Sequence, residues 1–137
     1  MKSSGVIILN KDKDILLMQR DDSAPTSPNM WNIIGGTSEG QETPLETALR
    51  ETEEETGIRY KTEDLKPLRS YTEEELHRRN SGAVSIFLAD YPCLYPQKLI
   101  VGEGKGIGFF SKEEIAHLRV TPTTKRVVAD FFKDYGA

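Results

Sequence analysis

The sequence predicts an α/β (α+β) fold with helices covering both faces of a mixed sheet. Three observations point there. Short runs rich in branched apolar residues recur along the chain, separated by polar turns. One central helix carries start and stop signals at both ends. The C-terminal segment spaces its apolar residues at a near-helical interval.

Taken in order, "GVIIL" (5–9) and "ILLMQR" (15–20) read as two strands, and "NKDKD" between them as the turn of a hairpin. "DDSAPTSPNM" (21–30) is a polar loop with two prolines. "WNII" (31–34) is a short strand ending at Gly35-Gly36. A helix then runs from Pro44 to about Thr56. Thr43 is the N-cap, Pro44 takes the first helical position, Glu46 completes a capping box, and Gly57 supplies the stop. "DLKPLRSYT" and "GAVSIFLADY" are strands joined by the polar "EEELHRRNS" (73–81). "KLIV" (98–101) and "IGFF" (107–110) are short strands around "GEGKG". Ser111 with Glu114 opens a short helix through about Leu118. "TPTTKRVVADFFKDY" (121–135) is the last helix, with Val127, Val128, Phe131 and Phe132 as its buried stripe.

A length of 137 residues suits one domain, 1–137, around one core. The balance of 36% hydrophobic and 29% charged residues is that of an ordinary soluble chain. No apolar run approaches the ~20 residues of a membrane span. Val6 to Leu9 is too short for a signal-peptide core, so a cytoplasmic setting is expected. Cys93 is the only cysteine, which excludes an internal disulfide and fits a reducing compartment. It stands in "YPCLYP" without a neighbouring His and reads as a lone buried thiol, not a nucleophile. A net charge of −4 argues against a stable nucleic-acid complex, which needs a basic face. A small anionic substrate stays open, because a bound divalent cation reverses the local field.

The segment "RETEEETGI" (50–58) concentrates negative charge. At about 100° per residue, Glu51, Glu54 and Glu55 share one arc about 100° wide. Leu45, Ala48, Leu49, Thr52 and Thr56 form the adjacent core-facing stripe, while Glu46 and Glu53 point to solvent. Like charges at i,i+3 and i,i+4 cost a few tenths of a kcal/mol per pair. The last turn of a helix also disfavours carboxylates. On the helix alone, a solvated acidic face is the favoured reading over a metal site. A hard divalent cation bound through oxygen would relieve all three placements at once.

The wider spacing favours the metal. Gly36, five residues, Glu42, seven residues, then Arg50-Glu51, Glu54-Glu55, Gly57 and Ile58 resembles the signature box of the Nudix hydrolases. Every charged and glycine position of that box matches, and Thr52 stands where a bulky aliphatic is usual. "MWNIIGG" is similar to the family's approach to the box, with Ile34 where proline is frequent. The resemblance implies Mg²⁺-dependent hydrolysis of a diphosphate linkage in a nucleoside diphosphate derivative, with Mn²⁺ as a substitute. It implies an α/β/α sandwich.

Residue by residue, the resemblance makes Glu51, Glu54 and Glu55 the metal-binding carboxylates, one of which orients or deprotonates the attacking water. Arg50 positions them by salt bridging, including to Glu42. Gly36 and Gly57 shape the loop and the helix end, and Gly36 joins the metal site. A further acidic ligand from a later loop is assigned to Glu103, with Glu73, Glu74 and Glu75 as competitors. Arg20 is a candidate phosphate contact. Trp31, Tyr71, Phe87 and Phe109 could stack a base, though core packing accounts for each. Specificity is expected in loops 21–30 and 72–82, where His77, Arg78, Arg79 and Asn80 offer donors. A monomer or homodimer acting on a small nucleotide is expected. The competing reading is a non-catalytic nucleotide-sensing module on the same fold.

Two other metal motifs fail. "NKDKDI" begins like an EF-hand loop, but its sixth position is Ile15 and its twelfth Asp21. His77 and His117 have no zinc-ligand spacing.

Overall fold

A computed structural model describes residues 2–24, 28–78, 82–92 and 106–135. Its elements are β1 (Ser3–Leu9), β2 (Ile15–Gln19), β3 (Trp31–Thr37), α1 (Pro44–Thr56), β4 (Lys66–Tyr71), β5 (Val84–Asp90), β6 (Gly106–Phe110), α2 (Lys112–Ile115) and α3 (Pro122–Tyr135). The six strands form one sheet in the order β4-β5-β1-β3-β2-β6. β1 and β5 run parallel from Ser3 opposite Val84 to Leu9 opposite Asp90. The remaining pairings are antiparallel, so the sheet is mixed.

β1 shows why both faces must be covered. Val6 and Ile8 join one buried cluster with Leu16, Met18, Ile34 and Ala48 of α1. Ile7 and Leu9 join the other, with Ile33, Ile86 and Val127, Val128 and Phe131 of α3. Alternation sends successive side chains to opposite faces, so an unbroken apolar run needs a helix on each side. Burying each of these branched side chains contributes about 1.5–3 kcal/mol. The predicted sandwich is what forms.

α1 has the predicted bounds. The Thr43 hydroxyl accepts from the Glu46 N–H at 3.2 Å, and the Glu46 carboxylate accepts from the Thr43 N–H at 2.8 Å. Gly57 adopts φ 81° and its N–H donates to the Glu53 carbonyl, closing the helix in a left-handed turn. In the "NKDKD" turn, Asn10 Oδ1 accepts from the Asp12 and Asp14 N–H groups at 3.0 Å. That side chain serves the backbone of a turn, not a cation.

Three expectations need correction. The β1–β2 hairpin pairs only at its base, Leu9 opposite Ile15, because β3 lies between the two strands. β3 does not stop at the glycines: Gly5, Ser4 and Ser3 of β1 pair with Gly35, Gly36 and Thr37 and extend the ladder through them. α2 ends at Ile115, short of Leu118. The chain is instead captured as an extended bridge between Val120 and Trp31, with the Trp31 N–H donating to the Arg119 carbonyl at 2.8 Å. The strand expected at 98–101, and Cys93, lie outside the described residues. No helix among the described residues is long and apolar enough to cross a membrane.

Candidate active site

The site is built where α1 lies over β1 and β3. Ala48 and Thr52 are fully buried on the helix's inner face, and Thr56 nearly so. The Thr52 hydroxyl donates to the Ala48 carbonyl and the Thr56 hydroxyl to the Thr52 carbonyl, both at 2.7 Å. Each hydroxyl is therefore satisfied within its own helix, and Thr52 packs in place of an aliphatic without an unpaired buried group.

That seating fixes three carboxylates at graded depths. Glu55 is only 5% exposed, deeper than a border position, and its Oε1 accepts from the Gly35 N–H at 2.8 Å. The Glu51 side chain is 15% exposed and lies against the backbone of Gly36. A Cβ at Gly36 would stand 2.5 Å from the Glu51 carboxylate carbon, so only glycine admits this approach. The Glu54 side chain is half exposed. Glu53 and Glu46 are absorbed elsewhere, Glu53 by an exposed pair with Arg59 and Glu46 by the helix cap.

Arg50 ties the group together. Its Nε and Nη2 donate to the two Glu42 carboxylate oxygens at 2.7 and 3.0 Å. Its Nη1 donates to Glu51 at 2.9 Å and Glu54 at 3.1 Å, and Nη2 also donates to the Thr37 carbonyl at 3.0 Å. A planar guanidinium suits this fan of acceptors, and an ammonium would not. The hydrogen bond from Arg50 chiefly, then that from the Glu39 N–H, pulls the Glu42 carboxyl down to about 2. The same bond to Glu42 raises the Arg50 guanidinium further above its ordinary value. Glu42 also accepts from the Thr47 hydroxyl, which sits 2.7 Å from the Ser38 hydroxyl.

The Glu51 and Glu55 carboxylates open onto a cleft of about 930 Å³. Arg20, Gly36, Glu51 and Glu55 all line it, so it brings together four residues singled out in the sequence. Glu54 does not line it and is held at the edge by Arg50. A second recess of about 530 Å³ shares Arg20, Asn32 and Gly36 with the first and adds His77, Arg78 and Thr121. Glu103, Arg79 and Asn80 lie outside the described residues. Of the competitors for the further ligand, Glu75 pairs with Arg69 at 3.4 Å and Glu73 accepts from the Gly82 N–H at 3.0 Å.

The four aromatic residues behave as core. Tyr71 is 2% exposed and its hydroxyl donates to Asp130 at 2.8 Å. Trp31 packs edge-on to Phe110, Phe109 edge-on to Tyr91, and Phe87 is buried. Three polar residues escaped the sequence reading: Thr47, Ser38 and Asn32. Asn32 carried a signal, since it is a polar residue set directly between Trp31 and the apolar Ile33-Ile34 pair.

Among the described residues, no three acidic, His or Cys side chains converge into a ready-made metal cage. The donors are nonetheless all oxygen: Glu51 and Glu55 in the cleft, Glu54 one turn away, and the Gly36 backbone. That set fits a hard cation such as Mg²⁺, which keeps several waters and completes its shell with phosphate oxygens instead of a closed protein cage.

Comparison with known proteins gives the family. A 55-residue stretch is 43% identical to the m7GpppN-mRNA hydrolase NUDT17 of Xenopus laevis, covering 40% of this chain and 19% of that protein. A 54-residue stretch is 43% identical to the dihydroneopterin triphosphate diphosphatase of Haemophilus influenzae, covering 39% of this chain and 32% of that one. The matched segments thus span about a fifth and a third of these relatives. Among solved structures, the E. coli dihydroneopterin triphosphate pyrophosphohydrolase superposes with a TM-score of 0.71 at 22% identity, covering 97% of this chain and 95% of the other. The NUDIX domain model matches residues 1–131, all six strands, α1 and most of α3 included, and the chain therefore belongs to the NUDIX domain family.

Proposed function

We propose that the chain hydrolyses a diphosphate linkage in a small nucleoside diphosphate derivative, such as a nucleoside triphosphate or a nucleotide sugar, and releases a phosphorylated product. The observation that carries this reading is one cleft lined by the Glu51 and Glu55 carboxylates, the Gly36 backbone and the cationic Arg20. A diphosphate is a chain of anionic oxygens around electrophilic phosphorus. Its hydrolysis needs negative charge neutralised and water activated.

Glu51, Glu54, Glu55 and Gly36 would hold Mg²⁺ or Mn²⁺, with Glu103 the assigned further ligand. When bound, the ion supplies charge neutralisation at the phosphate and a more acidic water. The chain's own part is positioning. Arg50 fixes Glu51 and Glu54 relative to each other, and Glu42 fixes Arg50. The Gly35 N–H holds Glu55, and Arg20 offers a phosphate contact. One of the three glutamates takes the proton released by the attacking water. A cytoplasmic monomer or homodimer, one unit over 1–137 with no membrane partner, is part of this reading, and the acidic net charge supports the absence of a nucleic-acid partner.

The test is turnover on a mixed nucleotide panel with and without Mg²⁺. Release of a nucleoside monophosphate that requires the ion is expected. Glu54→Gln should lower kcat by about 10²-fold or more while folding survives, since losing a metal carboxylate removes transition-state stabilisation. Tight nucleotide binding with no turnover would reassign the fold to sensing.

A further inference from the structure

A groove of about 530 Å³ lies between α2 and α3 and shares no lining residue with the cleft or its second recess. Its floor is apolar. Ile115 and Val128 lie at its base, and the half-buried Leu118, Val120 and Phe132 pack against the same core. Four exposed cations rim it: Lys112 on α2, Arg119 on the connection, and Lys125 and Lys133 on α3. Among the described residues none of the four has an ion-pair partner. Lys112 Nζ lies 5.8 Å over the Phe132 ring, so charge stands directly above the apolar floor. No carboxylate lines the groove. Glu114 is committed to the α2 cap and Asp130 to Tyr71 and Arg126, while Glu113 and Asp134 are exposed outside it. In a chain with 22 acidic and 18 basic residues, the groove is a local reversal of sign.

We propose that this groove docks an acidic amphipathic segment of a partner protein. Its apolar side chains fill the floor, and its Asp or Glu side chains face the four cations. Charge complementarity selects this occupant. Lys125 and Lys133 are eight residues apart along α3, about 12 Å. Charge spread over that length matches carboxylates carried along a peptide, and a lone small anion reaches only part of it. A nucleic acid presents phosphates, for which an apolar floor offers no partner. A lipid surface takes up an apolar face that protrudes, and this one is recessed. An amphipathic segment laid in a groove buries its apolar anchors and leaves its charges at the rim. The site stands apart from the cleft, so it holds whether or not the chain is a hydrolase.

The probe is a random peptide library displayed on phage and selected against the full chain. Enriched sequences should combine Leu, Ile, Phe or Trp with Asp or Glu. A synthetic copy of the strongest should bind the parent in calorimetry. Lys125→Glu with Lys133→Glu should weaken that binding by about tenfold or more, through repulsion of the peptide's carboxylates. The neutral pair Lys125→Gln with Lys133→Gln, milder for folding, should fall between. Ala129→Glu, which sets a carboxylate on the α3 wall of the groove, should weaken binding as the double reversal does. All three positions are exposed, so each variant should keep the parent's circular dichroism. Salt at about 1 M, where the screening length is about 3 Å, should weaken binding to the parent. No enrichment, enriched peptides without acidic residues, or affinity unmoved in the two lysine pairs would overturn the proposal. So would co-sedimentation with phosphatidylserine vesicles that Lys125→Gln with Lys133→Gln abolishes, which assigns the groove to a lipid surface. A dimer in analytical ultracentrifugation that Ala129→Glu dissolves assigns it to a second copy and overturns the proposal as well.

Discussion

Arg50 and Gly36 illustrate how single residues set the site. The Arg50–Glu42 contact depresses the Glu42 carboxyl from 4.5 to about 2. A folded-state value below the unfolded one means stability that is present above pH 4.5 and lost as pH falls through about 2. The unfolding free energies of the parent and Glu42→Gln should therefore differ by a constant amount above that window and converge within it. A gap that stays flat through the window would show that Glu42 is not held by charge. Arg50→Lys should lower kcat by about 10-fold or more, because one ammonium cannot serve Glu42, Glu51, Glu54 and the Thr37 carbonyl together. Gly36→Ala separates stability from activity. The new Cβ meets the far end of the Glu51 side chain, which can swing aside, so stability should change by less than about 1 kcal/mol. A swung Glu51 leaves the Arg50 fan and the cleft, and a misplacement of about 1 Å already costs about 10²-fold in rate. Loss of folding, or full activity, in Gly36→Ala would each contradict the placement of Glu51.

At the scale of elements, what could be read in advance tracks how local its causes are. α1 was legible to the residue because its boundaries are set by Thr43, Pro44, Glu46 and Gly57, all within the segment. The box spacing likewise brought Glu42 to Arg50, since eight residues of loop and helix suffice to close that pair. The insertion of β3 between β1 and β2, and the early end of α2, depend on partners far along the chain and left no local trace. Thr47 was assigned no role because it lies off the apolar stripe, yet Ser38 and Glu42 bury it. The caps make a paired prediction. Thr43→Ala should cost about 1 kcal/mol in denaturant unfolding and leave kcat nearly unchanged, because the first turn holds none of the metal carboxylates. Gly57→Ala forces a Cβ into the left-handed region, at about 1–2 kcal/mol. It lies beside Glu54 and Glu55, so kcat should fall with stability. Equal kinetic effects from the two ends would mean that α1 acts as a rigid rod and not as a locally anchored platform.

For the whole molecule, the question is whether the carboxylate group is a burden that a cation relieves. A chain of net charge −4 already repels itself weakly, and Glu51, Glu54 and Glu55 concentrate that repulsion in one helical turn. A ligand that binds only the folded state stabilises it by RT ln(1 + [L]/Kd), about 2.7 kcal/mol at a hundred times Kd. For a domain of this size that is on the order of 8 °C in Tm. The exposed Arg50–Glu54 pair is worth only about 0.3–0.5 kcal/mol, so losing it cannot mask such a shift. Without divalent ions, Glu54→Gln should therefore melt within about 2 °C of the parent. Titrating Mg²⁺ should raise the parent's Tm, chelation should reverse the rise, and Glu54→Gln should show little of it. Calorimetric scans at fixed ionic strength separate this from screening, because sodium at matched ionic strength must leave the parent unmoved. If both proteins gain equally from Mg²⁺, the ion acts on the general surface and not through Glu54.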